Sequence, residues 1–386
     1  YLYVASHTDH PGEGISCYRF DPSSGGLTFA GKSSEVNKVL YLAVHPHHPI
    51  LYAAGDTVTA EGAPDGLISA FRVNPDTGSL SLLNQQYTGS RTPCYISVDQ
   101  TGQLLAVAHF RGEGDVGSLC TLPVLSDGRL GAVGQFLQYE GGSVHPQRQL
   151  CSHIHAAVFD TDNRHLLVTD LGRDKLMSYR IDLPAQGVSP SPAAEATLPA
   201  GSGPRHVAFH PDGRCLYLIN ELNSTLTNFA YDGTTGEMTA RETLSTLPHD
   251  FAGKNTCADV HVHPSGKWVY GSNRGHDSIA VFSVSVSSGD LSLIGFVSTG
   301  KEPRGFTLSG DRTFLLAANQ KSNTITTYAI DTDSGLLSPA RTAGEAANGV
   351  SAANLTGGRV NGAAAARAAE VESPVCAVFY SQEPRG

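Results

Sequence analysis

The chain has 386 residues, of which 40% are hydrophobic and only 16% are charged, and it contains 42 glycines. This composition suits a protein of sheets and turns better than a helical one. The formal charge of −10 and the lack of a Lys/Arg run argue against a nucleic-acid partner, and no run of 18 apolar residues predicts a membrane span. An anionic small molecule stays a candidate ligand, because arginines that converge in a cleft outweigh the net charge.

A short phrase recurs seven times along the chain: a turn, an apolar run, and then a small or polar residue. It is clearest over residues 209–220 and 262–273, and weaker copies end at Ser6, Gly55, His109, Asp170 and Asn319. The steps between successive end positions are 49, 54, 61, 50, 53 and 46 residues. A period of this size, with several short strands in each unit, is typical of propeller blades.

Each unit has the same internal order: strand, His-Pro-Asp-Gly-like turn, strand, loop, strand, a second turn and a last strand. The second turn occurs at residues 21–25, 74–78, 232–236 and 331–335. Asp-Gly, Pro-Asp and Ser-Gly pairs between alternating apolar runs are hairpin signals, because Gly accepts φ > 0 and Asp bonds its own backbone. The sequence therefore predicts an all-β, seven-bladed β-propeller of four-stranded antiparallel blades.

The two ends of the chain complete this prediction. Residues 1–5 match the second strand of a unit, and residues 375–380 form a lone strand. We expect these terminal strands to share one blade, which closes the ring and leaves no free sheet edge. Residues 1–386 would then form a single propeller domain, and the Ala/Gly-rich residues 343–370 would be an insertion or mobile loop in the last connection, without a catalytic role.

The seven cysteines are scattered singly, without a C-x-x-C pair. An odd number of isolated cysteines is typical of reduced, buried thiols, so the sequence favours a cytoplasmic protein. Two N-x-T sequons, at Asn223 and Asn354, are compatible with secretion but are common by chance. The first residue is Tyr1 rather than Met, so a trimmed leader stays open.

The residues that depart from the repeat are the candidates for chemistry, since inner strands of a propeller converge on a central channel. Two places in each unit feed the mouth of that channel: the approach to the first strand, and the residues just after the phrase-ending position. The approaches hold His153, His155, Arg205, His206, Asp259 and Arg304, and the phrase ends hold His7, His109, Asp170, Glu221, Arg274 and Gln320.

His153 and His155 alternate, so both side chains would face one way from a strand. Such a pair suits a metal, but no HExxH motif or third ligand accompanies it, and we predict no metal site. Hydrogen bonds from both rings to neighbouring loops are the competing interpretation. Asp170 has a similar alternative, because it is as well placed to brace its own loop.

Arg205 and Arg304 each follow a proline in equivalent places of two units, and Arg274 is equivalent to Glu221. Opposite charges in equivalent places predict a pore in which guanidinium and carboxylate groups face each other. A planar guanidinium binds phosphate or carboxylate through two parallel hydrogen bonds, although one of the arginines could instead form an inter-blade ion pair. Glu221 beside arginines should stay ionised, as a base toward water or a carbon acid.

No GxSxG elbow, P-loop, dinucleotide fingerprint or WD40 signature occurs. Instead, six segments resemble one family, the seven-bladed β-propeller lactonases, which include the propeller-type 6-phosphogluconolactonases and the fungal carboxy-cis,cis-muconate cyclases. These segments are Ser152-His-Ile-His, Thr169-Asp-Leu-Gly-Arg-Asp, Gly203-Pro-Arg-His-Val-Ala-Phe-His-Pro-Asp-Gly, Asn220-Glu-Leu, Ser272-Asn-Arg-Gly and Pro303-Arg-Gly-Phe. The resemblance runs from Tyr1 to about Ala343 and resumes at residues 374–376. His109-Phe-Arg departs from it, since the family more often has Ala-Asn-Tyr there.

The resemblance implies metal-free chemistry on a lactone, with no cofactor. It places the catalytic residues at His155, Arg205, Glu221 and Arg274, with His153 as an aid to His155. From their places in the repeat we predict the substrate-binding residues, which are His153, Asp170, His206, Arg304 and Gln320. The leading hypothesis is hydrolysis of a sugar lactone, 6-phosphogluconolactone, to 6-phosphogluconate. The alternatives are a lactonising cyclase of the carboxy-cis,cis-muconate type and a non-catalytic propeller that binds a sugar acid.

Under the leading hypothesis, Arg274 and Arg304 hold the phosphate and Arg205 stabilises the oxyanion. Glu221 or His155 deprotonates the attacking water, and the other protonates the leaving ring oxygen. The expected partner is thus a small anionic sugar lactone or carboxylate, with no nucleic acid and no membrane, and the expected state is a monomer or weak homo-oligomer.

Overall fold

The computed structural model describes residues 1–10, 12–33, 35–340 and 368–380. In these ranges the first three blades contain β1 (Leu2–Ser6), β2 (Ile15–Asp21), β3 (Gly26–Ser33), β4 (Val39–Val44), β5 (Ile50–Val58), β6 (Pro64–Val73), β7 (Leu80–Tyr87), β8 (Arg91–Val98), β9 (Leu104–Arg111), the 3₁₀ helix Glu113–Asp115, β10 (Ser118–Pro123) and β11 (Gln135–Gln138).

The next three blades contain β12 (Ile154–Phe159), β13 (His165–Asp170), β14 (Lys175–Asp182), β15 (Gly187–Val188), β16 (Ala194–Thr197), β17 (Pro204–Phe209), β18 (Cys215–Asn220), β19 (Thr225–Asp232), β20 (Glu237–Ser245), β21 (Thr256–Val262), β22 (Trp268–Arg274), β23 (Ser278–Val284) and β24 (Leu291–Ser298). The last strands are β25 (Pro303–Leu308), β26 (Phe314–Asn319), β27 (Thr324–Ile330), β28 (Leu337–Pro339), β29 (Ala368–Glu370) and β30 (Pro374–Phe379).

These strands form seven antiparallel sheets arranged as a ring, which confirms the predicted seven-bladed propeller. Each sheet has four strand positions, and the outermost position is shared by β15 and β16 in the fourth blade and by β28 and β29 in the seventh. The innermost strands pack beside one another in the order β30, β4, β8, β12, β17, β21 and β25, and β25 returns to β30. The ring is therefore closed.

The closure joins the two ends of the chain, as predicted. β30 is the innermost strand of the first blade and pairs antiparallel with β1, so that Tyr3 lies opposite Val378. Of the predicted insertion 343–370, residues 343–367 lie outside the described residues. Its last three residues form β29, which pairs with β27 through Thr324 and Glu370.

The apolar positions of the repeated phrase form the core between blades. Seven clusters of buried side chains lie between neighbouring sheets. The tyrosines of the second strands also tie the blades together, because their buried hydroxyls donate to the carbonyl of a turn glycine in the next blade. These bonds join Tyr3 to Gly78 at 2.8 Å, Tyr52 to Gly128 at 3.0 Å, Tyr217 to Gly289 at 2.9 Å and Tyr270 to Gly335 at 3.0 Å.

A β-bulge interrupts the innermost strand of every blade near its start. In the fifth blade, for example, Pro204 lies opposite Asn220 and His206 lies opposite Ile219, which leaves Arg205 unpaired. The residues left over by the seven bulges are Leu40, Cys94, His155, Arg205, the pair Ala258 and Asp259, Arg304, and Val375. A bulge redirects a side chain out of the normal alternation, and here seven bulges occupy equivalent places around the central axis.

Candidate active site

Six of the eight bulged residues line a cavity on the propeller axis. The space in this cavity that is free for a water-sized molecule is about 10 Å³, which is the room that a single water molecule needs. The lining residues are Leu40, Tyr41, Cys94, Arg205, His206, Asp259, Arg304, Gly305, Val375 and Cys376. Of the predicted approach residues, Arg205, His206, Asp259 and Arg304 line this cavity.

Glu221 is the centre of an ion-pair cluster beside this cavity. It follows β18 directly and exposes only 2% of its surface. One carboxylate oxygen, Oε2, accepts a hydrogen bond from Nε of Arg205 and lies close to a nitrogen of Arg274, both at 3.0 Å. The other oxygen accepts a short hydrogen bond from Arg148. Three guanidinium groups from three parts of the chain therefore converge on one carboxylate.

This environment sets the protonation state of Glu221. Burial alone would raise the pKa of the carboxyl, but the positive charges of Arg274, Arg148 and Arg205 outweigh burial and lower the pKa to about 2. The carboxylate is therefore ionised throughout the neutral range. A group with such a low proton affinity is a weak base, and its main effect is to hold the guanidinium groups in place.

His155 lies beside the same cluster. Its Nε2 is 3.9 Å from Oε2 of Glu221, and its Nδ1 is 3.9 Å from the thiol sulfur of Cys94. Burial, together with the charges of Arg205 and Arg304, lowers the pKa of this imidazole well below 6.5. His155 is consequently neutral at physiological pH and has a lone pair to accept a proton.

Two polar groups in the cluster lack internal partners. Among the described residues, the guanidinium of Arg304 makes no hydrogen bond or ion pair, and the buried Nε of Arg274 has no hydrogen-bond acceptor. The other end of Arg274 is fixed, since one of its terminal nitrogens donates to the carbonyl of Cys257 at 2.8 Å. Burial and the nearby charges of Arg205 and Arg274 lower the pKa of Arg304. An anion next to these groups would satisfy both.

The charge around the cavity is positive. Four guanidinium groups face two carboxylates, which leaves two positive charges in excess while His155 and His206 are neutral. The groups counted are Arg148, Arg205, Arg274, Arg304, Glu221 and Asp259. This local excess contrasts with the net charge of −10 of the whole chain. An anionic ligand is attracted to such a site despite the acidic surface.

The remaining predicted site residues take different places. His206 lines the cavity and lies between Arg205 and Asp259. His153 stacks on the ring of Phe110 at 4.2 Å, and its Nδ1 lies 2.8 Å from the Phe110 carbonyl oxygen. Both rings of the His153 and His155 pair therefore contact Phe110, which His155 meets edge-on at 5.5 Å.

Asp170 and Gln320 are engaged elsewhere. Asp170 is fully buried, and its carboxylate accepts hydrogen bonds from the hydroxyl of Ser152 and the backbone amides of His153 and Gly172. It thus braces the loop before β12, the alternative role left open by the sequence. The amide of Gln320 is within 3.4 Å of the Ser373 hydroxyl, and no contact joins it to the Glu221 cluster among the described residues.

Several residues of the site were absent from the predicted set. Arg148 lies on the long connection between β11 and β12, where the repeat gives no alignment, and its guanidinium also lies over the ring of Phe110 at 5.9 Å. Phe110 follows the phrase end in its blade, in the same place as Glu221, so the repeat could have identified it. Tyr41 and Tyr95 occupy the place of His206 in their blades and pack together at 4.2 Å.

The described ranges contain no group of three or more His, Cys, Asp or Glu side chains placed to hold a metal ion. They also contain no helix that is long and apolar enough to cross a membrane.

Comparison with known proteins agrees with this architecture. Residues 1–353 match the family described as "Lactonase, 7-bladed beta-propeller". The chain is 33% identical over 341 residues to a 6-phosphogluconolactonase of Formosa agariphila, covering 87% of this chain and 94% of that protein. It is 32% identical over 336 residues to a 6-phosphogluconolactonase of Bacillus subtilis, covering 87% and 92%.

A solved structure of a relative has the same fold. The periplasmic gluconolactonase PpgL of Pseudomonas aeruginosa superposes with a TM-score of 0.84 at 30% sequence identity, over 98% of this chain and 98% of that one. Its agreement extends over the whole ring of blades that positions the Glu221 cluster. The chain belongs to the seven-bladed β-propeller lactonase family.

Proposed function

We propose that this protein hydrolyses a sugar lactone, 6-phosphogluconolactone, to 6-phosphogluconate at the Glu221 cluster. The observation that carries the proposal is a set of three groups: the guanidinium of Arg304, which repels its neighbours Arg205 and Arg274, the buried Nε of Arg274, which has no acceptor among the described residues, and the neutral imidazole of His155. An anionic substrate supplies the missing hydrogen-bond acceptors, and the imidazole supplies the base. The names of the relatives from Formosa agariphila and Bacillus subtilis support the same reaction.

In the proposed mechanism Arg304 and Arg274 bind the phosphate of the substrate. Arg205 donates to the carbonyl oxygen as negative charge develops there, because its second terminal nitrogen makes no hydrogen bond within the described part of the chain. Removing one donor of this kind from an oxyanion site typically costs ~3 kcal/mol of transition-state stabilisation. Glu221 holds the guanidinium groups at the correct spacing.

His155 is the proposed base, in preference to Glu221, because guanidinium groups already occupy both carboxylate oxygens of Glu221. The imidazole takes a proton from water as the water oxygen bonds to the carbonyl carbon. The bond from that carbon to the ring oxygen then breaks, and the imidazolium returns the proton to the ring oxygen. The new carboxylic acid ionises, so one proton is released to solvent for each lactone hydrolysed.

Unphosphorylated gluconolactone is the second candidate substrate, since PpgL is named a gluconolactonase. A panel of phosphorylated and unphosphorylated aldonolactones, followed by acid release in weak buffer, separates the two. We expect the wild type to prefer the phosphorylated lactone, and Arg304→Ala to lose that preference. The proposal is wrong if no aldonolactone releases acid faster than its spontaneous hydrolysis. Loss of absorbance from a muconate substrate would instead identify the cyclase.

A further inference from the structure

Asp259 is a buried carboxylate that the proposed mechanism does not use. It lies in the bulge of β21 and exposes 6% of its surface. Its Oδ1 accepts from the backbone amide of Val260 at 3.0 Å and pairs with Nδ1 of His206 at 2.8 Å. Its Oδ2 accepts from the backbone amide of Phe306 at 3.1 Å and lies 3.3 Å from Nε2 of His261. One carboxylate thus joins the fifth, sixth and seventh blades.

The contact with His206 continues to Arg205. Nε2 of His206 lies 3.2 Å from a terminal nitrogen of Arg205, which can only donate. The Nε2 atom must therefore be the acceptor, and the ring proton must be on Nδ1, where the Asp259 carboxylate accepts it. The same Arg205 nitrogen also donates to the carbonyl of Ala258 at 2.5 Å. Asp259 consequently selects the imidazole tautomer that holds Arg205.

The contact with Phe306 fixes a second guanidinium. Phe306 is two residues after Arg304, immediately beyond the bulge that turns Arg304 toward the cavity. The backbone between them has little freedom, because a Cβ on Gly305 would lie 2.7 Å from the carbonyl oxygen of Val375 in the first blade. The hydrogen bond from Phe306 to Asp259 closes the other side of this segment.

We propose that Asp259 is a positioning residue for the two substrate-facing guanidinium groups, acting on Arg205 through His206 and on Arg304 through the Phe306 amide. This inference rests on the proposed function, since it assigns those guanidinium groups to the substrate. Asp259 lines the cavity, but internal donors already occupy both of its carboxylate oxygens, so the proposal gives it no direct bond to the substrate. Its proposed role is to hold Arg205, which donates to the oxyanion, and Arg304, which binds the phosphate, in one fixed relative geometry.

Asp259→Asn tests both connections, the one through His206 to Arg205 and the one through the Phe306 amide to Arg304. An Asn amide has one acceptor, but the two carboxylate oxygens each accept from a backbone amide, so one backbone donor would face the NH₂ group of Asn in either orientation. We expect kcat/KM to fall 10- to 100-fold, as for other residues that orient functional groups from behind. His261→Asn is the matched control, because it removes a contact to the same carboxylate without reaching Arg205, and its kcat/KM should change less than threefold.

Two substitutions of His206 separate its contacts. The amide of Asn takes the place of Nδ1 and keeps the bond to Asp259, whereas the amide of Gln takes the place of Nε2 and keeps an acceptor for Arg205. We expect His206→Gln to retain at least ten times the kcat of His206→Asn. Equal activity of the two variants, at equal thermal stability, would overturn the positioning role.

A measurement without turnover keeps this test independent of the proposed function. The ¹⁵N spectrum of the His206 ring at pH 7.5 should show a protonated Nδ1 and an unprotonated Nε2. A proton on Nε2 would overturn the inference. Titration with 6-phosphogluconate by calorimetry should show at least tenfold weaker binding to Asp259→Asn than to the wild type. If the wild type binds this acid and shows the tautomer but hydrolyses no lactone, the proposed function fails and the positioning role stands.

Discussion

Glu221 and Arg205 form an ion pair in the interior of the propeller, with Oε2 of the carboxylate 3.0 Å from Nε of the guanidinium and only 3% of each side chain exposed. Removing both charges from water has a large desolvation cost, which their attraction offsets only with good geometry and further hydrogen bonds. The contacts of Glu221 with Arg148 and Arg274 provide that compensation. Burial of this kind is more useful for fixing functional groups than for stability.

Glu221→Gln should affect both stability and activity. The substitution preserves volume but leaves three guanidinium groups without their counter-ion, and removing one partner of a buried pair typically costs ~3–5 kcal/mol. We expect urea unfolding to show a loss of that size and kcat/KM on the lactone to fall at least 100-fold. Glu195→Gln is the control, since Glu195 pairs with Lys175 at the surface, where an ion pair contributes ~1 kcal/mol or less. Equal stability of the two variants would contradict the central role of Glu221.

Arg304→Met should stabilise the protein while it weakens substrate binding. Arg304 has no internal partner among the described residues and is repelled by Arg205 and Arg274. We expect the free energy of unfolding to rise by ~1 kcal/mol, and KM for the phosphorylated lactone to rise 10- to 100-fold, because a hydrogen bond to a charged group contributes ~1.5–3 kcal/mol. Such an exchange of stability for function is common at active sites.

Arg274→Met is the matched comparison for Arg304. Arg274 contacts Glu221 and donates to the Cys257 carbonyl, so its removal should lower the free energy of unfolding. Thermal unfolding with and without 6-phosphogluconate measures both effects. Opposite signs for the two variants without ligand are expected, and a loss of stability in Arg304→Met would show that this guanidinium has an internal partner.

The sequence predicted the fold in detail because the repeat determines the number of blades and the order of strands within each blade. The phrase endings align the blades, and the shared terminal blade followed from two strands left without partners. The same alignment predicted that His155, Arg205, Glu221 and Arg274 come together, and the structure places them within one cluster. Their roles in catalysis stay predictions.

The parts of the site that the sequence missed have physical reasons. Adjacent residues of a strand point to opposite faces, so the phrase-end residue and the residue after it cannot both face the axis. The predicted set contains residues from both places, among them Asp170, the counterpart of Asn220. Phe110, the counterpart of Glu221, lies outside that set. Arg148 belongs to a connection without a repeat, and its contact with Glu221 arises only from the fold.

Acid should unfold this protein through its buried neutral histidines. Burial lowers the pKa of His206 to about 4 and that of His109 to about 3, from 6.5 in an unfolded chain. Above pH 6.5 both histidines are neutral in the folded and the unfolded state, so their contribution to stability does not change with pH. Below pH 6.5 these histidines bind protons in the unfolded state but not in the folded state. Each histidine therefore lowers the free energy of unfolding by ~1.4 kcal/mol per pH unit until the pH reaches its pKa in the folded protein.

Urea unfolding at pH 7.5, 6.0 and 5.0 measures this slope. His109→Asn is a suitable variant, because Asn occupies the same phrase-end place at Asn220, Asn273 and Asn319. Between pH 6.5 and about 3, the pKa of His109 in the fold, the free energy of unfolding should depend less steeply on pH in the variant. The difference from the wild type corresponds to one proton, or ~1.4 kcal/mol per pH unit. A variant with the same pH dependence as the wild type would show that His109 has the same pKa in the folded and unfolded states.

Phe110 is expected to support both His155, the proposed base, and Arg148. Its ring stacks on His153 with an interplanar angle of 4°, meets His155 edge-on and lies under the guanidinium of Arg148. Aromatic pairs and cation–π contacts each contribute ~0.5–1.5 kcal/mol, so Phe110→Leu, which keeps an apolar side chain but no ring, should lower kcat/KM about tenfold. Phe110→Tyr keeps the ring and should remain within threefold of the wild type. Steady-state kinetics of the two variants on one lactone decide the point, and equal values would mean that the ring only fills space beside the site.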